Sequence, residues 1–158
     1  MLTYLFDASA AVEIYAPHNE RARKVVDFIV QQRKVYKFAK LLIPSFCIAE
    51  VFNALARKHY DEKRLSRAEY VDCLAEFRQA VHWGSLLYPY ELNRYHILAA
   101  DNIIPVEHKL AKLNDRDHLS TFDILIIAMA CELVFLGPMD RVFLVTYDSR
   151  IHRVCTEF

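Results

Sequence analysis

Four acids in this 158-residue chain stand where apolar runs begin or end: Asp7, Glu50, Asp123 and Asp148. Asp7 closes Leu2-Thr3-Tyr4-Leu5-Phe6, and Asp148 follows Val142-Phe143-Leu144-Val145-Thr146-Tyr147. Glu50 lies among Phe46, Ile48, Ala49, Val51 and Phe52, while Asp123 heads a run without charge until Glu132. A carboxylate at the edge of a core needs a cap, a cation or a metal. Several carboxylates on one rim repel and raise one another's pKa values unless a cation neutralises them. An all-oxygen ligand set of this kind suits Mg²⁺ or Mn²⁺, hard ions that keep some water and bind phosphate.

Each acid also has a purely structural reading. Asp7 suits a turn or the N-cap of a following helix. Ser120 and Asp123 form S-x-x-D, a capping box that contributes about 1 kcal/mol and implies no function. Asp148 is placed to cap a last helix. Glu50 shares a helix face with Asn53 and Arg57, at i+3 and i+7, so it belongs either to an ion pair or to a polar strip lining a cleft. The joint placement of the four is what points to chemistry.

Competing chemistries lack their signatures. Two glycines in the whole chain leave no Gly-rich phosphate loop. None of the seven histidines has H-x-x-x-H spacing, which argues against zinc. No G-x-S-x-G elbow is present, and Cys47 has no neighbouring His. The aromatic residues, Tyr4, Tyr15, Tyr36 and Tyr60 among them, are scattered and read as core and surface.

The acids must be held by regular elements. Short apolar runs predict strands at Leu2–Phe6, Leu41–Ile43, Leu86–Tyr88 (closed by Pro89) and Val142–Val145. Helical spacing predicts helices over Ala10–Tyr15, Glu20 to about Lys34, Pro44-Ser45 to about His59 with Ser45 as N-cap, and onward to about Val81 from a Ser66/Glu69 capping box with a Leu65/Tyr70 staple. Two short helices follow, Leu92–Ala100 and, beyond Pro105, Glu107–Leu113. The run Thr121–Phe135, ended by Gly137-Pro138, is apolar on every face and is expected inside the domain. Ile151–Cys155 forms a last turn. Strands alternating with helices predict a three-layer α/β/α sandwich around a parallel sheet, whose working surface lies beyond the strands' carboxyl ends. Asp7 and Asp148 end strands; Glu50 and Asp123 lie in the first turns of helices. One rim is the expected meeting place of all four.

The length fits a single domain over residues 1–158 with a substantial core. Twenty basic residues balance twenty acidic ones, so nucleic-acid binding has to come from a local patch. The stretch Arg57, Lys58, Lys63, Arg64, Arg67 is such a patch, for phosphates or as a solvated surface. Cys47, Cys73, Cys131 and Cys155 form no C-x-x-C and read as reduced thiols. With no signal-peptide pattern and no apolar run long enough to span a bilayer, a cytoplasmic protein is expected.

Taken in order, these motifs resemble the PIN-domain family, and within it the VapC-like toxin ribonucleases. The strand entering Asp7-Ala8-Ser9-Ala10 is similar to that family's opening D-x-S/T-A. Ile43-Pro44-Ser45 through Glu50 and Asn53 resembles its helix with an early Glu followed by Asn. Leu119 through Ala130 is similar to its Asp-headed buried helix, and Val145-Thr146-Tyr147-Asp148 to its T-x-D. The resemblance implies a metal-dependent endoribonuclease in which Asp7, Glu50, Asp123 and Asp148 hold Mg²⁺ or Mn²⁺, with Ser9, Asn53 or Thr146 orienting a carboxylate or bound water; in such an enzyme Arg57, at the head of the basic stretch, is the candidate for contacting RNA phosphates. It also implies a homodimer and an inhibitory antitoxin partner. Two departures stand out: only Cys155-Thr156-Glu157-Phe158 remain where family domains close with another strand, and Asp61–Asn114 is long and charged. Two rivals are a non-catalytic module whose acidic rim seats a basic partner, and a phosphatase of the haloacid dehalogenase type. The latter wants a second Asp two residues after the first, where this chain has Ser9.

Overall fold

The structure is a computed structural model and describes residues 2–35, 39–84, 86–114, 118–137 and 139–157. Tyr36, Pro138 and Phe158, named above, lie outside them. Four strands, β1 (Leu2–Phe6), β2 (Ala39–Pro44), β3 (Tyr88–Tyr90) and β4 (Arg141–Val145), form one parallel sheet in the order β3-β2-β1-β4. Among the described residues seven helices surround it: α1 (Ala8–Tyr15), α2 (Glu20–Val35), α3 (Ser45–Tyr60), α4 (Arg67–His82), α5 (Arg94–Asn114), α6 (Thr121–Leu136) and α7 (Ser149–Cys155). They pack as two groups, α1–α4 and α5–α7, giving the three-layer sandwich expected.

The central strands are apolar because both faces are covered. Leu5, Phe6, Leu41 and Ile43 are fully buried, and Cys47, Val51 and Leu55 of α3 close over them. Ile126 and Met129 of α6 join this core, while Ile127 and Ala128 face a second cluster with Ile103, Ile151 and Val154. A helix that feeds two clusters must be apolar all round, which accounts for its composition. The burial does not extend to its end: Val134, Phe135 and Leu136 are exposed.

Local expectations changed in four places. Ser45 does not cap α3; Pro44 occupies the N-cap without a side-chain bond, and the Ser45 hydroxyl points to the Tyr90 carbonyl at 3.4 Å. The third strand is Tyr88–Tyr90 rather than Leu86–Tyr88, pairing Leu42 with Tyr88 and Pro44 with Tyr90. Pro89 is admissible there because β3 is an edge strand. The two short helices are one, α5, which runs through Pro105. Proline deprives the Asp101 carbonyl of its donor, but Asp101 is exposed to water, and buried Ile103, Glu107 and Ala111 hold the helix together on either side. Helices α1 and α7 each begin two residues early, directly after their capping acids. The Ser66/Glu69 and Ser120/Asp123 capping boxes both form, and all four cysteines are free thiols. Gly137 caps α6 at φ −124, where a Cβ would lie 2.9 Å from Asp140 Oδ2, so close approach rather than a left-handed backbone calls for glycine.

Among the described residues no strand follows α7, and no helix is long and apolar enough to cross a membrane.

Candidate active site

Asp7, Glu50, Asp123 and Asp148 line one cleft of about 510 Å³ together with Ser9, Asn53 and Arg57. The cleft lies at the carboxyl ends of the strands, the edge where a parallel sheet offers its loops and helix N-termini to a ligand. Thr146 supports it from the end of β4.

Asp7 is the anchor. It is 4 % exposed and caps α1, accepting the Ala10 N–H at 2.8 Å. The Ser9 hydroxyl donates to its two oxygens at 2.8 and 2.9 Å, and the Thr146 hydroxyl to Oδ2 at 2.5 Å. Thr146 Oγ1 in turn accepts the Asp148 N–H at 2.9 Å, and Ser9 Oγ accepts the Tyr147 N–H at 3.0 Å. The ends of β1 and β4 are thus tied together through one carboxylate. An ionised carboxylate has roughly four acceptor positions. Three hydrogens, from Ala10, Ser9 and Thr146, leave about one position open, enough for a single bond to a cation or donor in the cleft.

Burial pushes the Asp7 carboxyl above its usual range; Thr146, Ala10 and Ser9 pull it back, and the negative charge of Asp123 adds to the rise. Glu50 is raised as well, first by burial and further by Asp123 and Asp7, against a lowering hydrogen bond from the Cys47 thiol. These three acids sense one another electrostatically, and that mutual repulsion is what a divalent cation would relieve. Asp123 also keeps its structural duty: Oδ2 accepts the Ser120 N–H at 2.9 Å and the Ser120 hydroxyl at 2.7 Å.

Asp148 differs from the other three. Arg150 donates to it from its backbone N–H at 2.7 Å, from Nε at 3.1 Å to each oxygen, and from Nη2 at 2.6 Å. Those bonds hold Asp148 below the usual carboxylate range. Arg150 Nη2 also lies 4.0 Å from Asp123 Oδ2, and Nη1 donates to the His118 carbonyl at 3.1 Å. The donor set therefore fits a hard divalent ion at Asp7, Glu50 and Asp123, with Asp148 already balanced by a cation of the chain. The acids are splayed: among the described residues the one trio of ligand atoms within 4.8 Å of one another is Glu107, His108 and His118, outside this cleft.

The same cleft also holds residues that spacing did not single out. Glu13 is buried and accepts Lys58 Nζ at 3.2 Å and the His18 N–H at 2.6 Å, with His18 Nδ1 at 2.9 Å. Lys58, read from the sequence as part of a basic patch, is spent on this buried pair. Arg57 stays exposed on the cleft and forms no ion pair with Glu50 among the described residues. The Glu13–Lys58 pair joins α1 to α3 across 45 residues, a contact that no helical period encodes. Arg150 was closer to legible, two residues beyond an acid that caps its own helix.

No family model matches the chain, and no curated protein matches it in sequence. In three dimensions it is similar to the crystal structure of VapBC2 from Rickettsia felis bound to a DNA fragment from their promoter, with a TM-score of 0.56 and 14 % identity. The match covers 96 % of this chain and 92 % of that one, and at this identity it shows the fold alone.

Proposed function

We propose that the chain is a metal-dependent endoribonuclease with a PIN-like fold, acting as the toxin of a toxin–antitoxin pair. The observation that carries this reading is the meeting of Asp7, Glu50 and Asp123 in one cleft, where each of the first two is raised partly by its acidic neighbours. A bound Mg²⁺ or Mn²⁺ at these three carboxylates would supply an acidified water for in-line attack on a phosphodiester and would offset the leaving oxygen's charge. Asp7 would be the fixed ligand, since the backbone of α1 and two hydroxyls lock its orientation. Ser9 and Thr146 hold that carboxylate rather than the ion. Asp148 restrains Arg150, and Arg57 and Asn53 face the cleft where RNA phosphates would lie. The similarity to VapBC2 supports a partner antitoxin, and a cytoplasmic homodimer is the natural setting for such a pair.

One observation favours a second reading. Asp7, Asp123 and Asp148 are all engaged as helix caps, so the rim can exist for structural reasons and seat a partner's Arg or Lys without catalysis. Cleavage of a mixed-sequence RNA with Mg²⁺, with Mn²⁺ and with chelator separates the two. The nuclease reading expects metal-dependent cleavage that falls at least about 100-fold in Asp7→Asn and Asp123→Asn, the scale of losing one electrostatic stabiliser of the transition state. Full activity in Asp123→Asn would remove that residue from the site, and no cleavage by the wild type would favour the binding module.

A further inference from the structure

Outside the cleft, Glu107 and His108 of α5 meet His118, which precedes α6. His118 Nδ1 lies 3.1 Å from both Glu107 oxygens, and His108 Nε2 lies 3.8 Å from Glu107 Oε2. The two imidazole rings are 4.6 Å apart between centroids. Glu107 is buried, and its Oε1 accepts the Leu119 N–H at 3.0 Å, which fixes the carboxylate between α5 and the lead into α6. Both histidine side chains are more than half exposed, at 64 % for His108 and 58 % for His118, so an ion can reach them.

Two imidazoles and one carboxylate are the ligand chemistry of a borderline divalent ion. Nitrogen donors select zinc, nickel or cobalt over Mg²⁺, and three protein ligands plus water complete a tetrahedron. Ligands about 2.0–2.2 Å from a tetrahedral ion stand roughly 3.3–3.5 Å apart. The spacings of 3.1 and 3.8 Å bracket that value, so small rotations of two exposed rings would close the site. The backbone donor on Glu107 is the kind of outer support that orients a metal-binding carboxylate. Local sequence spacing could not show this trio, because His118 comes ten residues after His108 with the end of α5 between them.

We propose that Glu107, His108 and His118 bind a late first-row divalent cation, with Zn²⁺ the best fit, and that the ion clamps the segment before α6 to α5. The site is separate from the carboxylate cleft and does not depend on the nuclease reading. It is nevertheless connected to it: the His118 carbonyl holds Arg150, which also contacts Asp148 and approaches Asp123. A cation here would steady from behind the guanidinium that balances Asp148.

The test is Zn²⁺ titration of the chelator-treated full chain by calorimetry, in the wild type, His108→Ala, His118→Ala and Asp7→Asn. Because both imidazoles are exposed, the histidine variants should fold, which circular dichroism checks. The expected result is one Zn²⁺ per chain, bound at least about tenfold more weakly in either histidine variant and unchanged in Asp7→Asn. Co²⁺ in place of Zn²⁺ should show tetrahedral visible absorption that is lost in the same two variants. No Zn²⁺ uptake by the wild type overturns the proposal, and so does uptake that survives both histidine changes.

Discussion

Replacing Asp7 with Asn separates what this residue does for the fold from what it does in the cleft. Asn is as good an N-cap as Asp, and its Oδ1 can keep the Ala10 N–H now held at 2.8 Å. Its amide N–H₂ then faces the Thr146 and Ser9 hydroxyls, which rotate to accept instead of donate. Shape and hydrogen-bond count are retained, and the charge is removed. The folded protein holds the Asp7 proton more tightly than the unfolded chain does, because burial, its largest cause, raises the carboxyl. The stability that protonation contributes is present below the unfolded value of about 3.8 and is lost as pH rises through the folded value. At pH 7 in chelator, Asp7→Asn should therefore be more stable than the wild type, by about 0.5–2 kcal/mol, the usual gain on relaxing a functional site. For a chain of this size that is a few degrees in Tm. The advantage should shrink as the pH falls toward 4. If Asp7 holds a divalent ion, the order reverses with Mg²⁺: at about 100 times the dissociation constant the wild type gains about 2.7 kcal/mol, and the variant gains little. Urea unfolding at pH 7 and pH 4.5, with chelator and with Mg²⁺, measures all four corners. A variant less stable than the wild type in chelator would refute the claim that burial strains this carboxylate. Equal stabilisation of both proteins by Mg²⁺ would refute Asp7 as a ligand.

Two further predictions concern polar contacts that tie helices to one another and to the sheet edge. Glu132 of α6 accepts the Tyr90 hydroxyl and His96 Nε2, the latter at 2.5 Å, while His96 Nδ1 accepts the Asn93 N–H at 3.0 Å and the ring is wholly buried. Glu132→Ala strands the imidazole and should cost about 2–3 kcal/mol in chemical denaturation. Burial works to raise Glu132, but the bonds from Tyr90, His96 and Asn93 outweigh it and hold the carboxyl low. Its contribution is therefore present above the unfolded value of about 4.5 and fades as pH falls through the folded value, so the penalty measured at pH 3 should be smaller than at pH 7. An equal or larger penalty at pH 3 would contradict this. Lys58→Met breaks the buried pair with Glu13 but leaves Glu13 its His18 donors, so the loss should be about 2–3 kcal/mol rather than the 3–5 typical of a fully orphaned charge. Adding Glu13→Gln to Lys58→Met should recover at least half of it, and a double variant no more stable than the single one would show that the pair is not what was lost.

What the sequence discloses follows the range of the interaction. Periodicity and caps act within a few residues, so β1, the Ser66/Glu69 box and the Ser120/Asp123 box could be read with few shifts. Asp7, Asp123 and Asp148 could be read because each sits at an element boundary, and a parallel sheet brings those boundaries to one edge. Glu50, expected in the first turn of its helix, stands beyond it, since α3 begins at Ser45 and has no acid in its first turn. Partners far apart in sequence stayed hidden. Lys58 reads as one cation of a basic run, yet it is buried against Glu13; no local pattern links Glu107 to His118, yet they are in contact. The misplaced third strand has the same origin, since only pairing with β2 decides which of Leu86 to Tyr90 forms a ladder. Proline breaks neither element where its local penalty predicts a break: at Pro89 an edge position offsets that penalty, and at Pro105 packing on both flanks does.

Three of the rim acids stand at helix N-termini: Asp7 caps α1, Asp123 closes the box of α6 and Asp148 caps α7. Helix N-termini favour anions by about 0.3–1 kcal/mol each when exposed, and they supply N–H donors that fix a carboxylate in place. With Arg150 neutralising Asp148, the protein can hold its splayed acidic rim without any ion bound. Capping and ligation are thus not rival explanations of Asp123. A carboxylate positioned by its own helix does not have to be ordered by an incoming cation, and the ordering entropy is spent during folding instead. Capping alone, however, gives no reason for Asp7, Glu50 and Asp123 to share one cleft, where Asp7 and Glu50 are each raised by burial and by the charge of Asp123. Isolated caps would be more stable if dispersed. Their concentration at the carboxyl edge of the sheet leaves Asp7 and Glu50 raised despite the hydrogen bonds they accept, and on the proposed nuclease reading a divalent cation with a bound phosphate is the ligand whose chemistry would relieve that repulsion.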